Sequence, residues 1–167
     1  EYLRTQQSQA VLYQIITVSN KPTEEEVMVK DCLEVLLNID WLKVKNKGGI
    51  FLTDLEKDEL KLIAHHGLGS ALLTMCDRVA FGNCLCGIAA QTKKIVHASC
   101  VDHHHHNHPK GMTPHGHYNI PILWRSQVLG VIVLYLEHGH KQNEFEKEFL
   151  IGVSETIAAA IFRKRTR

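Results

Sequence analysis

The apolar positions of residues 3–18 fall on one helical stripe. Leu3, Ala10, Val11, Ile15 and Val18 carry it, with Leu12 and Ile16 alongside. Lys21-Pro22-Thr23 interrupts the pattern. Thr23 is read as the N-cap of a second helix, with Glu24, Glu25 and Glu26 in its first turn, where negative charge suits the helix dipole. Glu26 also stands at capping-box spacing from Thr23. This helix runs to about Leu37, with Val27, Val29, Leu33, Leu36 and Leu37 as its apolar face and Cys32 as a small core residue within it.

Beyond residue 48 the period shortens. Gly49 to Thr53 reads as a buried strand, Asp54 to Asp58 as a polar turn and Leu60 to Ala64 as the hairpin partner. Ser70 to Cys76 reads as a short helix, Arg78 to Phe81 as a short strand, Cys84 to Thr92 as a helix and Ile95 to Ala98 as a strand. A histidine-rich loop, Ser99 to Gly116, precedes two longer strands, His117 to Trp124 and Val128 to Glu137, joined at Arg125-Ser126-Gln127. The second of these is apolar on both faces, which predicts a central strand covered on both sides. Asn143 caps a last helix with Phe145, Phe149, Val153, Ile157, Ala160 and Ile161 inward and Arg163 to Arg167 at its basic end.

Two helices, a mostly antiparallel sheet carrying a short helix and a long loop, and a final helix predict an α+β layered domain. The terminal helices lie on one face and loop-borne chemistry on the other. The 167 residues make one domain, divided as 1–19 (first helix), 20–142 (second helix, sheet and site loops) and 143–167 (last helix). Lys plus Arg total 19 against 18 Asp plus Glu, which gives no reason to expect a nucleic-acid partner. The basic run at the end complements the helix dipole. No apolar run reaches the ~18 residues a membrane helix needs. An odd cysteine count with C-x-C spacing argues for a reducing, cytoplasmic setting rather than a secreted disulfide framework. A chain that opens without methionine and closes inside a predicted helix is expected to be a piece of a longer protein.

Residues 81–117 hold eight of the twelve histidines and three of the five cysteines. Thiolate and imidazole are the donors that bind zinc, iron and copper. Cys84 and Cys86 would diverge by ~200° on a regular helix. Both reach one point only if Cys84 lies before the first turn, where the helix N-terminus favours thiolate. His115 and His117 lead into a strand two residues apart and should share a face. Cys84, Cys86, Cys100, His115 and His117 are therefore the candidate metal ligands, for zinc or iron, with haem and an iron–sulfur cluster left open by the donor set. His97, Asp102, His103, His104 and Tyr118 are candidate pocket or secondary residues. The alternatives are cysteines that only fill the core and a His103–His108 run that captures metal adventitiously. No nucleophile elbow and no zinc-deaminase signature is present.

The ordered set Gly82-x-Cys84-x-x-Gly87-x-Ala89-Ala90, Ile95-Val96, Ile120-Pro121-Ile122, Gly130-Val131-Ile132 and the Phe149 to Ile161 helix resembles a GAF domain across nearly the whole chain. Cys84 stands where such domains usually have a middle glycine. Cys84-Leu85-Cys86-Gly87, Cys100-x-Asp102-x-His104 and Pro114-His115-Gly116-His117-Tyr118 are similar to a subgroup in bacterial sensor histidine kinases. The resemblance implies a six-stranded antiparallel sheet, a pocket under residues 82–117, a homodimer through the terminal helices, and a signal passed down the last helix to an output domain in the same chain. It implies a sensory, non-enzymatic domain that responds to a small-molecule or redox signal, without nucleic acid and without membrane insertion. The alternatives are a thiol enzyme similar to free methionine-sulfoxide reductase, and an organic-ligand sensor with structural cysteines.

Overall fold

The computed structural model describes residues 2–42, 44–99 and 115–166, and the side chains of Tyr2 and Leu3 are not among them. Helices α1 (Tyr2–Ser19) and α2 (Glu25–Leu37) lead into strands β1 (Val44–Asp54) and β2 (Glu59–His66). Short α3 (Ser70–Met75), β3 (Arg78–Ala80), α4 (Cys84–Thr92) and β4 (Val96–Ala98) follow. Long strands β5 (Gly116–Trp124) and β6 (Gln127–Leu136) and helix α5 (Glu144–Arg165) complete the order. The six strands form one antiparallel sheet in the order β3-β2-β1-β6-β5-β4. Among the described residues no helix is long and apolar enough to cross a membrane.

Strand alternation divides the apolar residues between two cores. Ile132, Leu134 and Leu136 of β6 face the layer of α1, α2 and α5, together with Ile50, Tyr118 and Ile120. Val131, Val133 and Tyr135 face the other way, onto α4 and the end of α3. β6 is thus central and buried on both faces, as its unbroken apolar run predicts. β5 and β6 join through Arg125 and Ser126, both at positive φ (50° and 69°). That is the two-residue turn whose twist matches a hairpin, one residue shorter than the sequence suggests.

At the start of α2 sequence and structure part. Thr23 is not the cap of α2. Glu24 holds that position in extended conformation, without a side-chain cap bond. The Thr23 hydroxyl is buried without a hydrogen-bond partner among the described residues. The reason lies at the far end of the chain: Lys164 Nζ donates to the carbonyls of Lys21 (3.0 Å) and Thr23 (2.5 Å), and this holds the turn one residue off. The buried face of α2 is otherwise as read, with Val29, Cys32, Leu33, Leu36 and Leu37 inward, and differs at one position. Val27 is 46% exposed and Met28 is buried in its place. On α1, Ile15 is buried, while Ile16 and Ala10 are exposed. Asn143 caps α5 as expected, its side chain accepting from Glu146 N at 2.9 Å. The basic end of α5 is paired rather than only dipole-complementing. Arg165 grips Glu25 through two bonds (2.7 and 3.1 Å), and Arg163 reaches Asn20. Cys32 sits in the core as expected, its thiol pushed up to about 12 by burial and, less, by Asp31.

Candidate functional site

The sheet face away from the long helices carries a cavity under α4. Gly49, Phe51, Leu68, Leu72 and Val133 give it apolar walls, and Cys76, Cys84, Cys86, His117, Asn119 and Tyr135 give it polar ones. Its free volume is about 40 Å³. That holds a water or two, or a molecule of similar size, and falls far short of the ~300 Å³ at which pockets for drug-sized ligands begin.

Local backbone geometry aims the thiols. The chain turns from β3 into α4 through Gly82 at φ 88° and Cys84 at φ 58°. Gly87 lies where α4 passes over β3, and a Cβ there would come within 2.5 Å of the Ala80 carbonyl oxygen. Cys84 is the first residue of α4 and is left-handed, a conformation that costs an L-residue about 1–2 kcal/mol. Because it departs from helical φ, the ~200° divergence of a regular helix does not apply, and Cys84 and Cys86 hydrogen-bond each other. The Cys86 thiol is held well above the ordinary range, first by that bond to Cys84, then by burial and by Cys84 and Cys76 nearby. The Tyr135 hydroxyl is likewise raised, by burial and then by Cys76, Cys84 and Cys86.

His115 and His117 share a face, as their spacing predicts. Their rings stack 5.5 Å apart, and Tyr135 stacks on each, at 4.7 Å from His115 and 5.5 Å from His117. His117 lines the cavity, and His115 is buried just above it. Asn119 is 0% exposed. Its amide nitrogen lies 3.0 Å from His117 Nδ1 and 3.2 Å from the Val96 carbonyl oxygen. An amide NH₂ can only donate, so His117 Nδ1 is an acceptor and the neutral ring carries its proton on Nε2. His117 therefore presents an N–H donor rather than a lone pair. That suits a sulfur anion or an oxygen, and a metal at Nε2 would require Asn119 to turn over. Asn119 Oδ1 is buried without a partner among the described residues. Among those residues, no three of His, Cys, Asp and Glu are arranged to hold a metal ion. The donor types fit zinc or iron; a coordination shell is not preformed by the described part of the set.

Of the sequence-predicted residues, the structure brings together Cys84, Cys86 and His117, with His115 adjoining. Cys100, Asp102, His103 and His104 lie outside the described residues, with the rest of the histidine run. His97 and Tyr118 do not line the cavity. They lie on the helix face of the sheet, where Tyr118 donates to Glu146 at 2.6 Å. Sequence reading missed Cys76, Asn119 and Tyr135. Strand alternation could have found Asn119, two residues past His117. Cys76 carries no local signal, because only the fold back over β2 delivers it to the cavity.

The family described as GAF domain matches residues 22–161. Among solved structures, the GAF domain of a phosphoenolpyruvate-protein phosphotransferase from Coxiella burnetii is 22% identical with a TM-score of 0.81, each chain covered to 96%. Free methionine-R-sulfoxide reductase from Neisseria meningitidis, in complex with its substrate, is 22% identical with a TM-score of 0.78, covering 95% of this chain and 90% of that one. The A. aeolicus nlh2 GAF domain in an inactive state is 17% identical with a TM-score of 0.70, covering 98% and 99%. No curated protein matches the chain.

Proposed function

Because the chain belongs to the GAF domain family, we propose that it is a sensory domain of a bacterial signalling protein and that its signal is an oxidant read by the Cys84–Cys86 thiol pair. The observation that carries this is Cys84. It keeps a side chain at φ 58°, where glycine would be at ease, and that side chain delivers a thiol to Cys86 in a cavity shared with Cys76. The volume favours a peroxide-sized signal over a nucleotide.

The chemistry is stepwise. Cys84 sulfur, as thiolate at a helix N-terminus, attacks a hydroperoxide oxygen; the S–O bond forms as the O–O bond breaks, and the leaving oxygen departs as alcohol or water. The sulfenic oxygen would lie in the cavity that His117 also lines. A second thiol, Cys86 or Cys76, then displaces that oxygen as water and closes a disulfide. Two thiols lose two electrons and two protons, and the peroxide is reduced. A disulfide to Cys76 would tie the head of α4 to the end of α3, and one to Cys86 would distort the first turn of α4; either is a two-state change for transmission to α5.

The rest of the reading is regulatory. The domain is not itself an enzyme, works in the cytoplasm, and passes its signal along α5 to an output domain, a histidine kinase of a two-component system, in the same chain. A homodimer through α1 and α5 would cover Tyr13 (72% exposed), Ile16 and Phe162. Zinc or iron on Cys84, Cys86 and Cys100 is the rival within the same cavity, and sulfoxide reduction is the rival by fold likeness to the N. meningitidis reductase.

The test treats untagged, anaerobically purified protein with stoichiometric peroxide and counts thiols and added oxygen by mass spectrometry. Loss of two thiols, with no oxygen retained and reversal by dithiothreitol, is expected; Cys84→Ser should stop it and Cys32→Ser should not. Stoichiometric zinc or iron that protects the thiols would replace this reading with the metal site. Thiol-dependent turnover of methionine sulfoxide would replace it with the enzyme.

A further inference from the structure

A second polar cluster lies on the opposite face of the sheet, against the start of α5. His97 Nε2 on β4 is 3.2 Å from His140 Nδ1, in the loop between β6 and α5. His140 Nε2 is 3.2 Å from Glu146 Oε1 in the first turn of α5, and the Tyr118 hydroxyl donates to that same oxygen from β5. The Glu146 and His140 side chains are only 8% and 13% exposed. The chain His97–His140–Glu146 therefore runs from an edge strand of the sheet into the head of the last helix.

Its protons can be counted. Carboxylate oxygen only accepts, so His140 carries a proton on Nε2. In the neutral pair His140 Nδ1 then accepts from His97 Nε2–H. One added proton is tolerated: whichever ring takes it, one of the two facing nitrogens still accepts from the other. A second added proton is not. Both facing nitrogens then carry hydrogen, no acceptor stands between them, and two positive charges meet across 3.2 Å. We propose that the His97–His140 pair is an acid-sensitive latch that fastens the head of α5 to β4 and opens when the pair takes its second proton. This device is independent of the thiol cavity.

Among the described residues, the ionisable groups that act on His97 are His140 from the loop and Glu146 from α5, and the Tyr118 hydroxyl from β5 faces the same carboxylate. Burial and His140 hold His97 below its ordinary 6.5, with Glu146 pulling the other way. A folded-state pKa below the unfolded one means the latch is fully stabilising above about pH 6.5 and weakens as pH falls below it. A second tether does not titrate: Gly139 N–H donates to the Ser99 carbonyl at 2.7 Å. The loop therefore stays hinged to the end of β4 while His140 swings away.

Amide hydrogen exchange of residues 143–149, corrected for intrinsic rate, should lose protection by at least about tenfold between about pH 7.5 and 5. His97→Gln replaces the ring with an uncharged amide able to donate or accept, and its protection should stay flat across that range. Protection that holds in the wild type at a pH where both rings are shown by NMR to be protonated would overturn the latch, as would an equal loss in the glutamine variant. If that variant does not fold, the wild-type imidazole titrations decide: two separated steps are required, and a common step near pH 6.5 overturns the proposal.

Discussion

Replacing Cys84 and Cys86, each in turn, by alanine and by glycine isolates the strain at the head of α4. Both side chains are nearly buried, at 4% and 5% exposure, so removal of the sulfur is common to all four variants. Going from alanine to glycine at Cys86, inside the helix, should cost about 1 kcal/mol in backbone freedom and about 0.8 kcal/mol in lost methyl burial. The same step at Cys84 carries the same two costs, but it also releases the left-handed Cβ, which returns about 1–2 kcal/mol. The expected alanine-to-glycine cost is therefore about 2 kcal/mol at position 86 and about 0–1 at position 84. The common terms cancel in the difference of differences, which leaves the strain alone. Urea unfolding under reducing conditions measures it, and thermal midpoints should move by about 2–4 °C per kcal/mol for a chain of this size. Equal costs at the two positions, within about 0.5 kcal/mol, would refute the argument. They would also remove the reason for treating Cys84 as a thiol retained against its backbone.

Two further outcomes follow from the packing. Met28→Ala should cost about 2–5 kcal/mol in chemical unfolding, while Val27→Ala, on the face that the sequence took as buried, should stay within about 1 kcal/mol. Tyr118→Phe removes a short bond to the buried Glu146 carboxylate and should cost about 1.5–3 kcal/mol at neutral pH in the same assay, because among the described residues the carboxylate then keeps His140 alone.

The periodic segments were legible because one rule governs them. The apolar residues of β6 alternate between two cores, so its central place could be read without knowing its neighbours. The α4 boundaries, Cys84 to Thr92, match the reading because glycines and the C-x-C mark its start. The cap of α2 was misread because Lys164, 141 residues away from Thr23, holds that turn. The cavity was legible in part for the same reason. His115, His117, Cys84 and Cys86 announce themselves by spacing. Cys76 and Tyr135 become site residues only when β2, β3 and β6 are folded together. The His97–His140 link of the second cluster joins residues 43 apart and leaves no trace in local pattern.

The sheet ends at β3 and β4, each three residues long. Beyond β4 the next strand continues to Trp124, but Pro121 interrupts its row of N–H donors, and Arg78 puts a charge on the β3 flank. Short edge strands, a proline and a charge each make it harder for a neighbouring copy to extend the sheet sideways.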